Sequence, residues 1–361
     1  MGNSSDLKEN KRKKVELTGR ARASQSPPAA LLGAFSSFVA AALNPQEELR
    51  SERKPDPVLV QIEAVPSRSS VSIPTRLELE YSEITGSGGL SSARPFRRSL
   101  LGIAAGDRDS IFALGDGEVR IFSPGGRPEG SWKAPDQSAC LTVSADGTVF
   151  FGSPGRVHIY SRDGNRLGEF AAGESGRPAE ITAVKICGKE ILAADAAARI
   201  IRRYDWEGKQ LGAIGAHGKI RGFMLPNRFL DMDVDAGGVI RAADPGRHRV
   251  TAWNLKGEPL GQFGKFGLRN PEDFVGCCNP VNLAVTPDGK IVTAEKVAAR
   301  VKVYAAGGPL LAVIGPAHFD PRCTHLHLAV DAKGRILVAD PVRLEIKVFS
   351  AKPVQGGGEL A

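Results

Sequence analysis

Short apolar and β-branched runs, separated by turns rich in Gly, Asp and Pro, recur along most of this chain, and the stretch Asn279–Gly315 shows the unit most fully. Leu283–Val285, Lys290–Ala294, Val301–Tyr304 and Leu310–Ile314 each read as a strand, with Pro287-Asp288-Gly289 as the first turn. The same grammar returns downstream from His325 and upstream from Phe229, Ile181, Cys140 and, most weakly, Leu101, which makes six copies. Asp195, Asp244, Glu295 and Asp340 share one aligned position, spaced 49, 51 and 45 residues apart. Four strands per unit at a period of roughly 40–50 residues is a propeller signature. The predicted fold is all-β, a six-bladed β-propeller with four-stranded blades.

The sixth copy ends at Phe349-Ser350 with three strands, and Ala351–Ala361 has no apolar run for a fourth, so it reads as a flexible tail. Leu77, Leu79 and Tyr81 alternate with polar residues in Arg76–Thr85, the period of a strand. This N-terminal strand is expected to close the last blade, because otherwise an edge of unpaired backbone groups stays open. The propeller then spans residues 76–350.

Leu328-Ala329-Val330-Asp331, Val338-Ala339-Asp340 and Arg300-Val301-Lys302-Val303-Tyr304 resemble the NHL-repeat family, whose six-bladed propellers carry these strand motifs. Pro245-Gly246-Arg247-His248-Arg249 and Gly276-Cys277-Cys278-Asn279-Pro280 are similar to marks of a bacterial subgroup. The resemblance implies fold more than function, because sites are grafted onto such scaffolds.

Composition changes the picture little. Gly supplies 42 of 361 residues, as a chain that turns often requires. Half of the net charge of +8 falls in residues 1–54, so no concentrated basic face marks the repeats and nucleic-acid binding is not expected. Residues 1–43 hold the apolar run Ala29–Leu43 after the basic Lys11-Arg12-Lys13-Lys14. As a helix that run spans about 22 Å, short of a ~30 Å hydrocarbon core, so it fits an export signal or membrane anchor better than a full span. The expected location is thus exported, periplasmic or cell-envelope, with a cytoplasmic protein as the alternative. Residues 44–75, rich in Pro, Ser and charge, read as a linker. A monomer is expected.

Four groups carry candidate chemistry. Asp195 with Arg199, Asp244 with Arg249 and Glu295 with Arg300 recur at a hairpin, as bracing ion pairs would; in the sixth copy Glu345 replaces the Arg and would repel Asp340 unless Arg343 or Lys347 intervenes. Asp231, Asn282 and His327 are equivalent positions opening the inner strands, matched by Leu101 and Cys140 in the first two copies. They are expected to face the central channel as a ligand site or as a polar lining bonded to water. Cys277, Cys278 and Cys323, with His325 and His327, offer ligands for a divalent metal ion (zinc, copper or calcium) at the channel mouth. The simpler outcomes there are a bridge from Cys323 to Cys277 or Cys278, since a bond between neighbouring cysteines is strained, or inert free thiols. Arg247, His248, Glu295 and Lys296 are expected to form a mixed-charge rim around the same mouth. His158, His217 and His318 have no partner legible in the sequence.

No nucleophile motif, phosphate loop or His-Glu-x-x-His is present; Gly86-Ser87-Gly88-Gly89 lacks the strand-to-helix context of a nucleotide site. The expected function is therefore a binding or scaffold module holding a protein or small ligand at the channel mouth. The alternatives are a metal-dependent enzyme, for which propeller lactonases and NHL-type lyases are similar precedents, and a Cys-based redox or metal-binding protein.

Overall fold

In the computed structural model the first five repeats each fold as one antiparallel sheet of four strands in chain order, and the three strands of the sixth are joined by one from the N-terminal side. It describes Leu77, residues 79–84, Leu90 and residues 95–215 and 222–353. The leader 1–43, the linker 44–75, the loop 86–89, His217 and residues 354–361 lie outside the described residues. Blade one is Gly102–Ala105, Ile111–Gly115, Glu118–Phe122 and Pro128–Lys133. The inner strands of blades two to six are Cys140–Val143, Ile181–Cys187, Met232–Val234, Asn282–Val285 and His327–Val330. Each lies beside the inner strand of the next blade, and the sixth lies beside the first, so they ring a common axis.

The last blade closes as the alternation at Leu77–Tyr81 predicted. Leu79–Glu83 pairs antiparallel with Glu345–Pro353, from Leu79 opposite Pro353 to Glu83 opposite Phe349. The partner strand runs three residues past the expected boundary at 350. Leu79 and Tyr81 pack on the core between blades five and six. The Glu83 carboxylate accepts from Lys347 Nζ at 3.1 and 3.2 Å and lies 3.1 Å from His318 Nδ1, so the closing strand is fastened by charge as well as by its ladder.

The alternation of apolar residues places the core between blades. Six apolar clusters are present among the described residues, one for each neighbouring pair of blades, and one joins blade six to blade one. The third strands of blades one to five end on an aromatic residue, Phe122, Tyr160, Tyr204, Trp253 and Tyr304, and Phe349 holds the equivalent place within the longer strand of blade six. In blades one to five the ladder to the outer strand shifts register at that residue, a bulge that adds twist.

In three blades the repeated acid staples the blade to the loop that leads into it. Asp195 accepts from the backbone N–H of Glu180, Asp244 from that of Met224 and Asp340 from that of Asp320. Two of the expected ion pairs form, Asp244 with Arg249 at 3.0 Å and Glu295 with Arg300. The third does not: Asp195 pairs with Arg202 at 2.8 Å. Arg199 is one residue off register; it occupies the left-handed turn position (φ 59°) that His248, Ala299 and Leu344 occupy in the next three blades. In blade six the amides of Val342 and Arg343 satisfy Asp340, with Arg343 Nε at 4.0 Å, while Lys347 serves Glu83 instead. His158, unpartnered in the sequence, bonds Ser153 at 2.8 Å and Glu169 at 3.0 Å.

Candidate functional site at the channel mouth

One residue from each inner strand or its first approach stands at the same level around the axis: Leu101, Cys140, Thr182, Asp231, Asn282 and His327, enclosing a cavity of about 40 Å³. The repeat alignment thus brings Asp231, Asn282 and His327 together as expected. Thr182 was missed because its strand carries a bulge at that point. The signal was Thr182 preceding Ala183-Val184, as Asn282 precedes Leu283-Ala284.

Asp231 organises the ring. Its Oδ1 accepts from the Met232 amide at 2.9 Å; its Oδ2 accepts from Asn282 Nδ2 at 3.0 Å and from the Leu283 amide at 3.1 Å. Burial pushes its pKa up to about 6, against the opposing pull of Lys185 and these donors. The bond from Asn282 fixes that amide, and Asn282 Oδ1 is then left buried with no partner. A buried carbonyl oxygen without a donor costs free energy, so a ligand bearing a donor gains by meeting it.

The imidazole side of the ring is neutral. Burial pulls His327 down to about 4, with a further push from His325; burial pulls His325 to about 4, with a smaller contribution from the Lys296 ammonium. The two rings lie nearly parallel with centroids 6.5 Å apart, and Phe229 packs on His325 at 4.4 Å. His325 Nε2 is buried without a partner, while its Nδ1 sits 3.1 Å from Thr324 Oγ1. The mouth therefore combines an orphaned acceptor, neutral imidazoles and an aromatic face.

Lys185 stands below the ring and had no place in the sequence reading, although a lysine within Ile181–Cys187 was its own signal. Its Nζ pairs with Asp233 Oδ1 at 3.1 Å. Burial pulls its pKa down, but Asp233 and Asp231 outweigh that and the net shift is upward. Lys185 lines both the small cavity and a second one of about 390 Å³ towards the far ends of the inner strands, so it stands between the two.

The structure does not gather the five metal-ligand candidates into one cluster. Among the described residues no group of three or more His, Cys, Asp or Glu side chains is arranged to hold a metal ion. Cys323 points into the core between blades five and six and donates to Asp340 Oδ1 at 3.1 Å. Cys278, at φ 64°, turns instead towards Cys277, with the sulfurs 2.7 Å apart. All five cysteines are free thiols, so neither expected bridge to Cys323 forms. His325 and His327 are left without thiolate partners.

The mixed-charge rim is also reduced. Glu295 is fully buried, bonded to Arg300 and to Lys302 Nζ at 3.0 Å. Arg247 binds Asp244 at 2.9 Å and the Gly222 carbonyl at 3.2 Å. His248 packs on Phe266 at 5.1 Å, and burial lowers its pKa. Lys296 remains the cation whose charge reaches His325 and Cys278.

No family model matches the sequence, and no curated protein matches it. Solved structures do. A streptogramin B lyase superposes with a TM-score of 0.52 at 10% identity, covering 76% of this chain and 98% of its own. A gluconolactonase from Xanthomonas campestris gives 0.55 at 14%, covering 73% and 89%. A protein of unknown function from Bacteroides thetaiotaomicron gives 0.52 at 16%, covering 76% of each chain. At these identities the likeness is one of fold, the six-bladed propeller.

Proposed function

We propose that this NHL-type propeller is a binding module whose channel mouth takes a small, neutral, hydroxyl-bearing molecule with one apolar face. The observation that carries this reading is the buried, unpartnered Asn282 Oδ1 in the wall of a cavity ringed by polar groups from neighbouring blades. Neutrality follows from the surroundings. His325 and His327 carry no charge at pH 7, and the Asp231 carboxylate is offset by Lys185. The cavity admits only a few water-sized groups, so one substituent of the ligand enters. The rest would rest on Phe229 and on Leu101, which is 38% exposed. Sugars and sugar lactones have this chemistry.

Calorimetric titration with neutral monosaccharides and sugar lactones tests the reading. At least one should bind wild type, and Asn282→Ala should weaken it at least about tenfold, the loss of about 1.4 kcal/mol expected for one hydrogen bond. Binding unchanged in both Asn282→Ala and His327→Ala, or no binding by any neutral sugar, removes it.

A second reading is an enzyme using the same mouth. It is favoured by the raised Asp231, a carboxyl poised between acid and base near neutral pH, and by fold neighbours that include a lyase and a gluconolactonase. Its mark would be acid release from δ-gluconolactone that disappears in Asp231→Asn. Binding without turnover leaves the module reading standing alone.

A further inference from the structure

The neighbouring thiols Cys277 and Cys278 are used by neither reading above. We propose that they form a reversible redox site, in which a low-molecular-weight disulfide such as glutathione disulfide converts the pair to a disulfide between adjacent residues. The two sulfurs lie 2.7 Å apart, so bond formation needs them only about 0.7 Å closer. Access is asymmetric: Cys277 is exposed and Cys278 is 4% exposed. The loop is held in this shape from both sides. Asn279 Nδ2 donates to the Val275 carbonyl at 2.5 Å and to the Lys296 carbonyl at 3.1 Å, while Asn279 Oδ1 accepts from the Lys296 amide at 2.9 Å. Gly276 and Cys278 both take left-handed backbone, φ 72° and 64°. The remaining thiols, Cys140, Cys187 and Cys323, are buried and do not compete for an oxidant in solution.

The chemistry balances with the named oxidant. The Cys277 thiolate attacks one sulfur of glutathione disulfide, forming a mixed disulfide and expelling one glutathione thiolate. Cys278 then gives up its proton and attacks the Cys277 sulfur, expelling the second glutathione. Two protein thiols lose two electrons, and one disulfide gains them. The Lys296 ammonium favours the Cys278 thiolate against burial, which otherwise pushes that thiol up to about 11. Strain in a bond between neighbours makes it easy to reduce again. The loop leads into Asn282, the first residue of the inner strand at the mouth.

The test uses the full chain, incubated with glutathione disulfide, digested with trypsin and weighed. The peptide 270–290 holds Cys277 and Cys278 and no other cysteine. In wild type it should lose the mass of two hydrogen atoms, carry no glutathione and recover on reduction with dithiothreitol. In Cys278→Ser it should retain one glutathione on Cys277, and in Cys277→Ser none. A wild-type peptide that stays reduced, that keeps glutathione, or that is joined to the peptide bearing Cys323 overturns the proposal, whatever the variants do.

Discussion

Lys302 and Glu295 form a buried ion pair whose two halves should respond very unequally to removal. Lys302 Nζ donates to Glu295 Oε1 at 3.0 Å and to the Asp273 carbonyl at 2.6 Å, and both side chains are fully buried. Arg300, 20% exposed, holds the other carboxylate oxygen. Two cations thus share one anion. Lys302→Met keeps the apolar stem and leaves Glu295 paired with Arg300, while the Asp273 carbonyl loses its donor. That loss, about 1–3 kcal/mol, is partly offset by the relieved desolvation of the ammonium, for a net cost of about 1 kcal/mol. Glu295→Leu instead leaves the Lys302 ammonium buried without a counter-charge, at about 3–5 kcal/mol. At roughly 2–4 °C per kcal/mol for a domain near this size, Tm should fall by about 2–4 °C in the first variant and by at least about 6 °C in the second. Circular dichroism melts at pH 7 read both, and the double variant should be less damaged than Glu295→Leu alone. The pH dependence adds a sign. Burial pulls Lys302 down to about 8, so between pH 8 and its ordinary value near 10.5 the unfolded chain holds a proton that the folded one has released. Wild type should therefore gain stability relative to Lys302→Met as pH rises through that window. A Lys302→Met loss equal to that of Glu295→Leu, or additive losses in the double variant, would refute this reasoning.

Two further outcomes follow from the same contacts. Deleting residues 77–84 removes the closing strand, the packing of Leu79 and Tyr81 and the ties of Glu83. Leu79 and Tyr81 are partly buried, so each contributes part of the about 1.5–3 kcal/mol of full burial, and with the lost ladder the sum reaches a large share of a typical 5–15 kcal/mol stability. The shortened chain should lose its β signal by circular dichroism and aggregate on size exclusion, whereas deleting residues 1–54 should leave Tm unchanged. Asp231, raised to about 6 from an ordinary 3.8, binds its proton more tightly when folded. Its contribution is complete below about pH 4 and is lost as pH rises to about 6, on the order of 3 kcal/mol, so urea midpoints of Asp231→Asn should be flatter than wild type across that window.

The fold was legible because it is periodic. The six copies announce themselves through the spacing of Asp195, Asp244, Glu295 and Asp340, and the closing strand through the alternation at Leu77, Leu79 and Tyr81. Position in the repeat also placed Asp231, Asn282 and His327 at one level of the channel, since equivalent residues of a closed ring must meet. What failed lay where a single residue changes direction. Arg199 falls on a left-handed turn position and gives way to Arg202. Cys278 and Cys323 align, yet one turns towards Cys277 and the other towards Asp340. Partners across closure, such as Glu83 and His318, are separated by most of the chain and no local pattern announces them. Lys185 was overlooked because a charge in an inner strand has meaning only once Asp233 of the next blade stands beside it.

The measurement that bears most directly on the channel mouth is a proton NMR titration of the imidazole signals in the full chain, assigned with His325→Gln and His327→Gln. If residues from different blades wall these rings away from water, both stay neutral across pH 5–8 and protonate only near pH 4. Either ring titrating near its ordinary value of about 6.5 would show a solvated imidazole and contradict the enclosed site.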